Sequence, residues 1–270
     1  MKYVCGIFFW LKVLLAVLLV LSILTVETYM VYIGHSLSYS MKEFVNSADE
    51  IAISGSDLKC HFKGNVARLE PANDQFLWGM SIQWDVDDAI RLTNRLGQTV
   101  PIFNTFIKIN NTDQEIDVLN WQAQQVQKLG GMMQVSIFTN ISINDVTDLA
   151  LYKVAAQMRK VNAYYGVPVY LRFCPEMNGE WMTNFGLRPT AYKEKFIKLA
   201  NYVHSVTNLT AMVWSPNIGG GTYGSPAFAS NFPARGTEDF RLLDTNGNGR
   251  IENTDDSYTA YYPGDEYVDW

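Results

Sequence analysis

Four residues that could carry chemistry, Arg172, Glu176, Asn178 and Trp181, follow one another closely near the middle of the chain. They begin at the end of an apolar run, residues 167–173 (VPVYLRF), which is typical of a buried strand in a parallel sheet. In parallel α/β barrels, reacting groups lie at the carboxyl ends of the strands. A carboxyl group in such a position can donate a proton to a leaving group and later take one from water. Glu176 is therefore the candidate general acid.

A simpler interpretation uses the same residues. Glu176 and Arg172 carry opposite charges and could form an ion pair that only stabilises the fold. The residue types alone leave both interpretations open.

The elements that would position these residues alternate between strand-like and helix-like segments. No Gly-x-Gly-x-x-Gly follows the first strand and no P-loop is present, so a nucleotide-binding doubly wound fold has no support. We predict an α/β fold of the (β/α)8 TIM-barrel type, with a parallel sheet and right-handed crossovers. We expect this barrel to be incomplete and to contain only its first five to six strands, because YVDW at the end of the sequence resembles the start of a sixth strand. The predicted strands are 76–82, 101–109, 132–139, 167–173 and 209–217, and the predicted helices are 85–97, 115–131, 145–166 and 189–208.

Composition limits the partners. The 270 residues carry a net charge of -6, which argues against nucleic acid because phosphate binding needs a basic face. The high aromatic content suits stacking on sugars, although a large core would also explain it.

Of the three cysteines, Cys60 and Cys174 could pair, or Cys174 could be a free buried thiol.

The N-terminus is strongly apolar, and residues 13–26 contain no charge. No small-residue cleavage site follows, so residues 1–33 are predicted to be an uncleaved signal anchor that spans the membrane. Lys2 and Lys12 on its N-terminal side place the remaining chain outside the cell or in a lumen. A cleaved signal peptide and a secreted protein are the alternative. Residues 34–70 are interpreted as a stalk and residues 71–270 as the partial barrel domain.

Three motifs together resemble glycoside hydrolase family 26, whose best-known members are endo-β-1,4-mannanases. They are LRFCPEMNGEW, MVWSPN and YYPGDEYVDW, in the family's order from about residue 76 to the end of the sequence. The resemblance implies a retaining glycosidase that acts on β-mannan or a related β-linked polysaccharide, with Glu176 as general acid/base. It also implies a set of substrate-binding residues around that carboxyl: Arg172, Asn178, Trp181, Trp214 and Asn217.

Two departures from the family pattern qualify this expectation. Pro175 stands where the family commonly has His, which suggests an altered specificity. The family carries its nucleophilic Glu on the seventh strand, and a retaining enzyme needs both carboxyl groups. We therefore expect the 270 residues to lack the nucleophile and to hydrolyse poorly by themselves. A truncated, non-catalytic carbohydrate-binding relative is the alternative.

Residues 244–255 (DTNGNGRIENTD) resemble a calcium loop of the EF-hand or dockerin type. Oxygen ligands at positions one, three, five, seven and twelve, with Gly at six, suit Ca²⁺. The sequence shows no convincing flanking helices, and an ordinary Asn/Gly-rich turn is the alternative. We expect a structural ion held by Asp244, Asn246, Asn248, the backbone carbonyl of Arg250, and Asp255.

Overall fold

The computed structural model describes residues 68–71, 76–111, 116–218 and 223–270. The predicted signal anchor (1–33), Cys60 and nearly all of the predicted stalk (34–70) lie outside these ranges and stay predictions. Within the described ranges, no helix combines the length and the apolar character needed to span a bilayer.

The chain alternates strands and helices, and the strands form one parallel sheet in the order β1-β2-β3-β4-β5. This confirms the predicted α/β class and the parallel sheet, and the arrangement is compatible with part of a (β/α)8 barrel. The strands are β1 (Gly79–Ser81), β2 (Ile102–Ile109), β3 (Met132–Thr139), β4 (Val169–Phe173) and β5 (Thr210–Val213). The helices are α1 (Ala89–Leu96), α2 (Val118–Lys128), α3 (Asp148–Tyr165), α4 (Pro189–Val206) and α5 (Glu238–Leu243). Short 3₁₀ helices cover Ile143–Asp145, Pro226–Asn231 and Thr259–Tyr261.

Local sequence signals define the ends of the long helix α3. The side chain of Thr147 accepts a hydrogen bond from the backbone N–H of Ala150 and so caps the first turn. Gly166 ends the helix at a φ of 66°, a left-handed conformation that favours glycine. The same logic explains α1, which Asp88 caps and Gly97 ends.

The two faces of the sheet differ in character. Phe103, Val135 and Leu171 point to one face, where they are fully buried in the core cluster shared with the helices. The opposite face holds rows of registered neighbours, because residues paired across parallel strands point the same way. One row is Asn104, Gln134, Tyr170 and Ala211, and the next is Phe106, Ser136, Arg172 and Val213. The second row leads directly to the segment that follows β4.

The last residue of the chain lies beside β5. The backbone N–H of Trp270 donates to the Met212 carbonyl (3.1 Å), and the N–H of Trp214 donates to the Trp270 carbonyl (2.8 Å). This is the hydrogen-bond pattern of a parallel strand pair. Residues 267–270 nevertheless form no strand in the structure, so the predicted sixth strand stays a prediction.

Candidate active site

Glu176 lies three residues beyond β4, at the carboxyl edge of the sheet, and its side chain is half-buried. Its backbone N–H donates to the Ser215 carbonyl (2.8 Å), and its carboxylate Oε2 accepts the indole N–H of Trp181 (2.9 Å). Its φ is 59°, and that of Cys174 is 47°. Such conformations are uncommon for residues with a side chain, and they persist where the surroundings enforce them, often at functional sites.

A tight turn holds the Trp181 indole against this carboxylate. The N–H of Gly179 donates to the Glu176 carbonyl (2.8 Å) and closes the turn. A Cβ atom at Gly179 would lie 2.5 Å from ring atoms of Trp181. Only glycine therefore allows the ring to cross this turn.

Arg172 supplies a positive charge that attracts the Glu176 carboxylate. Its guanidinium donates to Ser215 Oγ (2.7 Å from Nη2) and to Ser136 Oγ (3.3 Å from Nη1). Burial lowers the pKa of the Arg172 guanidinium, and attraction to the Glu176 carboxylate opposes that effect. Arginine stays protonated across the physiological range, so the site holds a fixed cation. Its hydrogen bonds go to serine hydroxyls, which weakens the interpretation of Arg172 and Glu176 as a purely structural ion pair.

Asn178 and Asn217 bind each other across the site. Asn178 is fully buried, its Nδ2 donates to the Asn217 carbonyl (3.1 Å), and its Oδ1 accepts the Asn217 N–H (2.8 Å). The Asn178 amide therefore joins the segment after β4 to the segment after β5. A direct contact of either residue with substrate stays a prediction.

Trp214 occupies the neighbouring rim, directly after β5. Its ring packs edge-to-face on Tyr262, with centroids 5.1 Å apart. Its indole N–H is buried and has no hydrogen-bond partner among the described residues. The predicted residues thus fall into two groups. Arg172 and Trp181 belong with the Glu176 carboxylate, whereas Trp214 and Asn217 lie on the β5 side. Ser215 and Asn178 join the second group to the first.

Sequence reasoning missed Ser136 and Ser215, which hold Arg172. No local sequence signal identifies either residue. Ser136 lies beside Arg172 because of the register of β3 and β4, and Ser215 reaches Arg172 because of the path of the chain after β5.

Glu180 was also missed, and it is 2% exposed. Its two carboxylate oxygens accept the backbone N–H groups of Gly224 (2.9 Å) and Ser225 (3.0 Å). A carboxylate that is buried and bonded in this way holds the loop after β5. It is poorly placed to act as a second reacting carboxylate.

No protein-family model matches this chain, and a search of curated proteins also finds no match.

The likeness to glycoside hydrolase family 26 therefore rests on the three sequence motifs alone and stays a prediction.

The second predicted site, residues 244–255, forms one hydrogen-bonded loop. Asp244 Oδ2 accepts the Gly249 N–H (2.9 Å), Asn246 Oδ1 the Asn248 N–H (3.0 Å), and Asn248 Oδ1 the Arg250 N–H (2.9 Å). The loop begins where α5 ends, so the expectation that no helix flanks it is wrong on its N-terminal side.

Asp255 closes this loop. Its Oδ1 accepts the N–H groups of Thr245 (2.8 Å) and Asn246 (3.1 Å), and its Oδ2 accepts the N–H of Glu252 (2.8 Å). Burial acts to raise the pKa of Asp255, but these hydrogen bonds outweigh it and hold the pKa below its ordinary value. In the described part of the chain, no group of three or more His, Cys, Asp or Glu side chains could hold a metal. A cation here would therefore depend on amide and backbone oxygens as well as carboxylates.

Proposed function

We propose that residues 71–270 form part of the glycoside hydrolase domain of a membrane-anchored protein that acts on β-mannan or a related β-linked polysaccharide. Glu176 is the general acid/base. The observation that carries the proposal is the Glu176 carboxylate, which stands at the carboxyl edge of a parallel sheet with a left-handed backbone and an indole donor at 2.9 Å. The likeness of LRFCPEMNGEW to the family's fourth-strand motif supports the substrate class.

The proposed acid step uses the free oxygen of this carboxyl. Trp181 donates to Oε2, which leaves Oε1 to carry the proton toward the glycosidic oxygen. Proton transfer accompanies breakage of the bond between the anomeric carbon and that oxygen, and a second carboxylate bonds to the anomeric carbon. Glu176 then removes a proton from water as the water displaces the second carboxylate.

The cation at Arg172 orients the site during both steps. It attracts the Glu176 carboxylate when Glu176 has lost its proton, and its own position is determined by Ser136 and Ser215. The flat rings of Trp181 and Trp214 are suited to stack on pyranose faces on either side of the reacting bond.

The proposal also includes the fold, a (β/α)8 barrel of which this chain forms the first part. Five parallel strands in sequential order, with the backbone of Trp270 hydrogen-bonded beside β5, support the first part of a (β/α)8 barrel. The family likeness assigns the second carboxylate to the seventh strand, beyond these five. The apolar N-terminal segment supports membrane anchoring with the barrel outside the cell or in a lumen, and secretion is the alternative.

A carbohydrate-binding role without turnover is the second candidate. The observation that favours it is Glu180, the acidic residue nearest to Glu176 in the motif, whose carboxylate is committed to backbone donors. Under this alternative the site would bind polysaccharide through its aromatic rim and leave it intact.

The test compares the 270-residue chain with a version extended through a complete barrel, each assayed for hydrolysis of β-mannan and for retardation in a mannan-containing gel. We expect turnover from the extended version, and a loss of roughly 10²- to 10⁴-fold in Glu176→Gln. Glu194→Gln, on the exposed side of α4, is the matched control and should retain full activity.

Equal activity of the extended wild type and Glu176→Gln would rule out the proposed acid/base. Retardation of both chains in the mannan gel without any hydrolysis would establish the binding alternative.

A further inference from the structure

We infer that residues 244–255 bind a calcium ion, with Asp244 Oδ1 as its principal charged ligand, and that this ion stiffens the rim beside the candidate active site. The inference concerns metal binding and does not depend on the proposed hydrolase activity.

The decisive atom is Asp244 Oδ1. It is buried and has no hydrogen-bond partner within the described residues, whereas Oδ2 of the same carboxylate accepts the Gly249 N–H (2.9 Å). A buried carboxylate oxygen that lacks a donor is costly, because it has lost its water and gained nothing in return. A bound cation would remove this cost. The Asp244 side chain is thus placed to bind a cation, because no described protein donor bonds to its Oδ1 atom.

Neighbouring oxygens can complete the coordination. Asn246 Oδ1 and Asn248 Oδ1 each accept one backbone N–H, which leaves each amide oxygen one further lone pair. The Arg250 carbonyl occupies the seventh position of the loop, where calcium loops use a backbone oxygen. All of these ligands are hard oxygens, which suit Ca²⁺ and disfavour Zn²⁺ or Cu²⁺.

Asp255 can offer fewer oxygen ligands to the ion than the sequence pattern suggests. Three donors already occupy its Oδ1: the N–H and hydroxyl of Thr245 and the N–H of Asn246. Its Oδ2 accepts only the Glu252 N–H and can offer one remaining lone pair. Asp255 therefore contributes one oxygen at most, and its main task is to close the loop.

The loop and the segment directly after it contact the chain on both sides of residues 219–222. Asn253 Oδ1 accepts the Tyr223 N–H (2.9 Å), and the Tyr258 hydroxyl donates to the Ile218 carbonyl (2.7 Å). Ile218 directly follows Asn217, one of the candidate substrate-binding residues. An ion that orders residues 244–255 would consequently restrain this part of the rim.

The test measures Ca²⁺ binding to the full 270-residue chain by titration calorimetry and by thermal unfolding. Because the ligands include few carboxylates, we expect a Kd of about 10⁻⁵ to 10⁻³ M. At about 100 times that concentration, Tm should rise by roughly 5 to 10 °C relative to the chelated protein. Asp244→Asn should weaken binding at least about tenfold, because it removes the principal charge while preserving the shape. Asp85→Asn removes one exposed carboxylate elsewhere and should bind as the wild type does.

Two results would overturn the inference: no heat and no Tm shift with Ca²⁺ in the wild type, or equal affinities in wild type and Asp244→Asn. If Asp244→Asn fails to fold, Asn248→Ala replaces it, since Asn248 is exposed and its amide oxygen is a proposed ligand. Unchanged Ca²⁺ affinity in a folded Asn248→Ala would then count against the proposed ligand set, and a weakened affinity would support it.

Discussion

The indole N–H of Trp181 lies 2.9 Å from Oε2 of Glu176, five residues earlier in the chain. Both residues belong to one turn beyond β4, so the proposed acid and its indole donor are positioned by the same short segment. The contact is local in sequence, but it requires the left-handed backbone of Glu176, which the Ser215 carbonyl of the neighbouring segment anchors.

Trp181→Phe should impair the site without unfolding the protein. It removes the indole donor but keeps an aromatic ring, so Oε2 loses a hydrogen bond to a charged acceptor, an interaction of about 1.5 to 3 kcal/mol. In the extended version we expect kcat/KM for β-mannan to fall about 10- to 100-fold while the protein stays folded, with a modestly lower Tm because the hydrogen bond also stabilises the fold. Trp121→Phe, at a half-exposed position on α2, is the control and should leave kcat/KM unchanged. Equal kcat/KM in wild type and Trp181→Phe would contradict an orienting role for this contact.

Gly179→Ala should destabilise the fold and the site together. The new Cβ would lie 2.5 Å from the Trp181 ring, and the ring would have to move. Overpacking of this kind costs about 1 to 3 kcal/mol, which should appear as a lower urea midpoint with an unchanged slope. Thr183→Ala, at an exposed position nearby, should keep the wild-type midpoint. A Gly179→Ala variant as stable as the wild type would show that the turn can relax.

Tyr170 should make stability depend on pH in the alkaline range. Burial raises the pKa of its phenol from 10.0 to about 12, so the folded chain retains a proton that the unfolded chain loses. This contribution to stability is fully present below pH 10 and disappears as the pH rises toward 12. Urea unfolding between pH 8 and 11.5 should show this decline.

Tyr170→Phe tests the assignment. The variant loses the hydrogen bond from the hydroxyl to the Leu69 carbonyl (2.6 Å), which should cost about 1 kcal/mol at pH 8. Its stability should then decline less steeply above pH 10 than that of the wild type. Tyr164→Phe, on the exposed side of α3, should follow the wild-type curve. Parallel curves for wild type and Tyr170→Phe would refute the assignment.

Cys174 should be unreactive in the native protein. The structure contains it as a free, fully buried thiol, and burial raises its pKa well above the ordinary value of 9.0. Iodoacetamide at pH 8 should label it only after denaturation, because the thiolate is the reactive form. Peptide mass spectrometry distinguishes Cys174 from Cys5 and Cys60. Rapid labelling of Cys174 in the folded chain would mean that the segment after β4 opens readily.

The sequence by itself determined most of the scaffold. Predicted strands at 101–109 and 132–139 correspond to Ile102–Ile109 and Met132–Thr139, because apolar runs bounded by Gly, Pro and Asn are local signals. Gly97 and Gly166 marked the helix ends for the same reason. The first strand was predicted to be longer than Gly79–Ser81, since its length depends on pairing with β2 and apolar composition cannot report that.

The relations across strands were decided only by the tertiary structure. Ser136 and Ser215 meet Arg172 because of the register of β3 and β4 and the path of the chain after β5, and neither is encoded in a local pattern. The exchange of hydrogen bonds between Asn178 and Asn217 and the commitment of Glu180 to Gly224 and Ser225 have the same origin. Residue types and spacing identified Glu176 as a candidate acid. The contacts that surround it arise from segments far apart in sequence, which meet only when parallel strands bring their carboxyl ends to one edge.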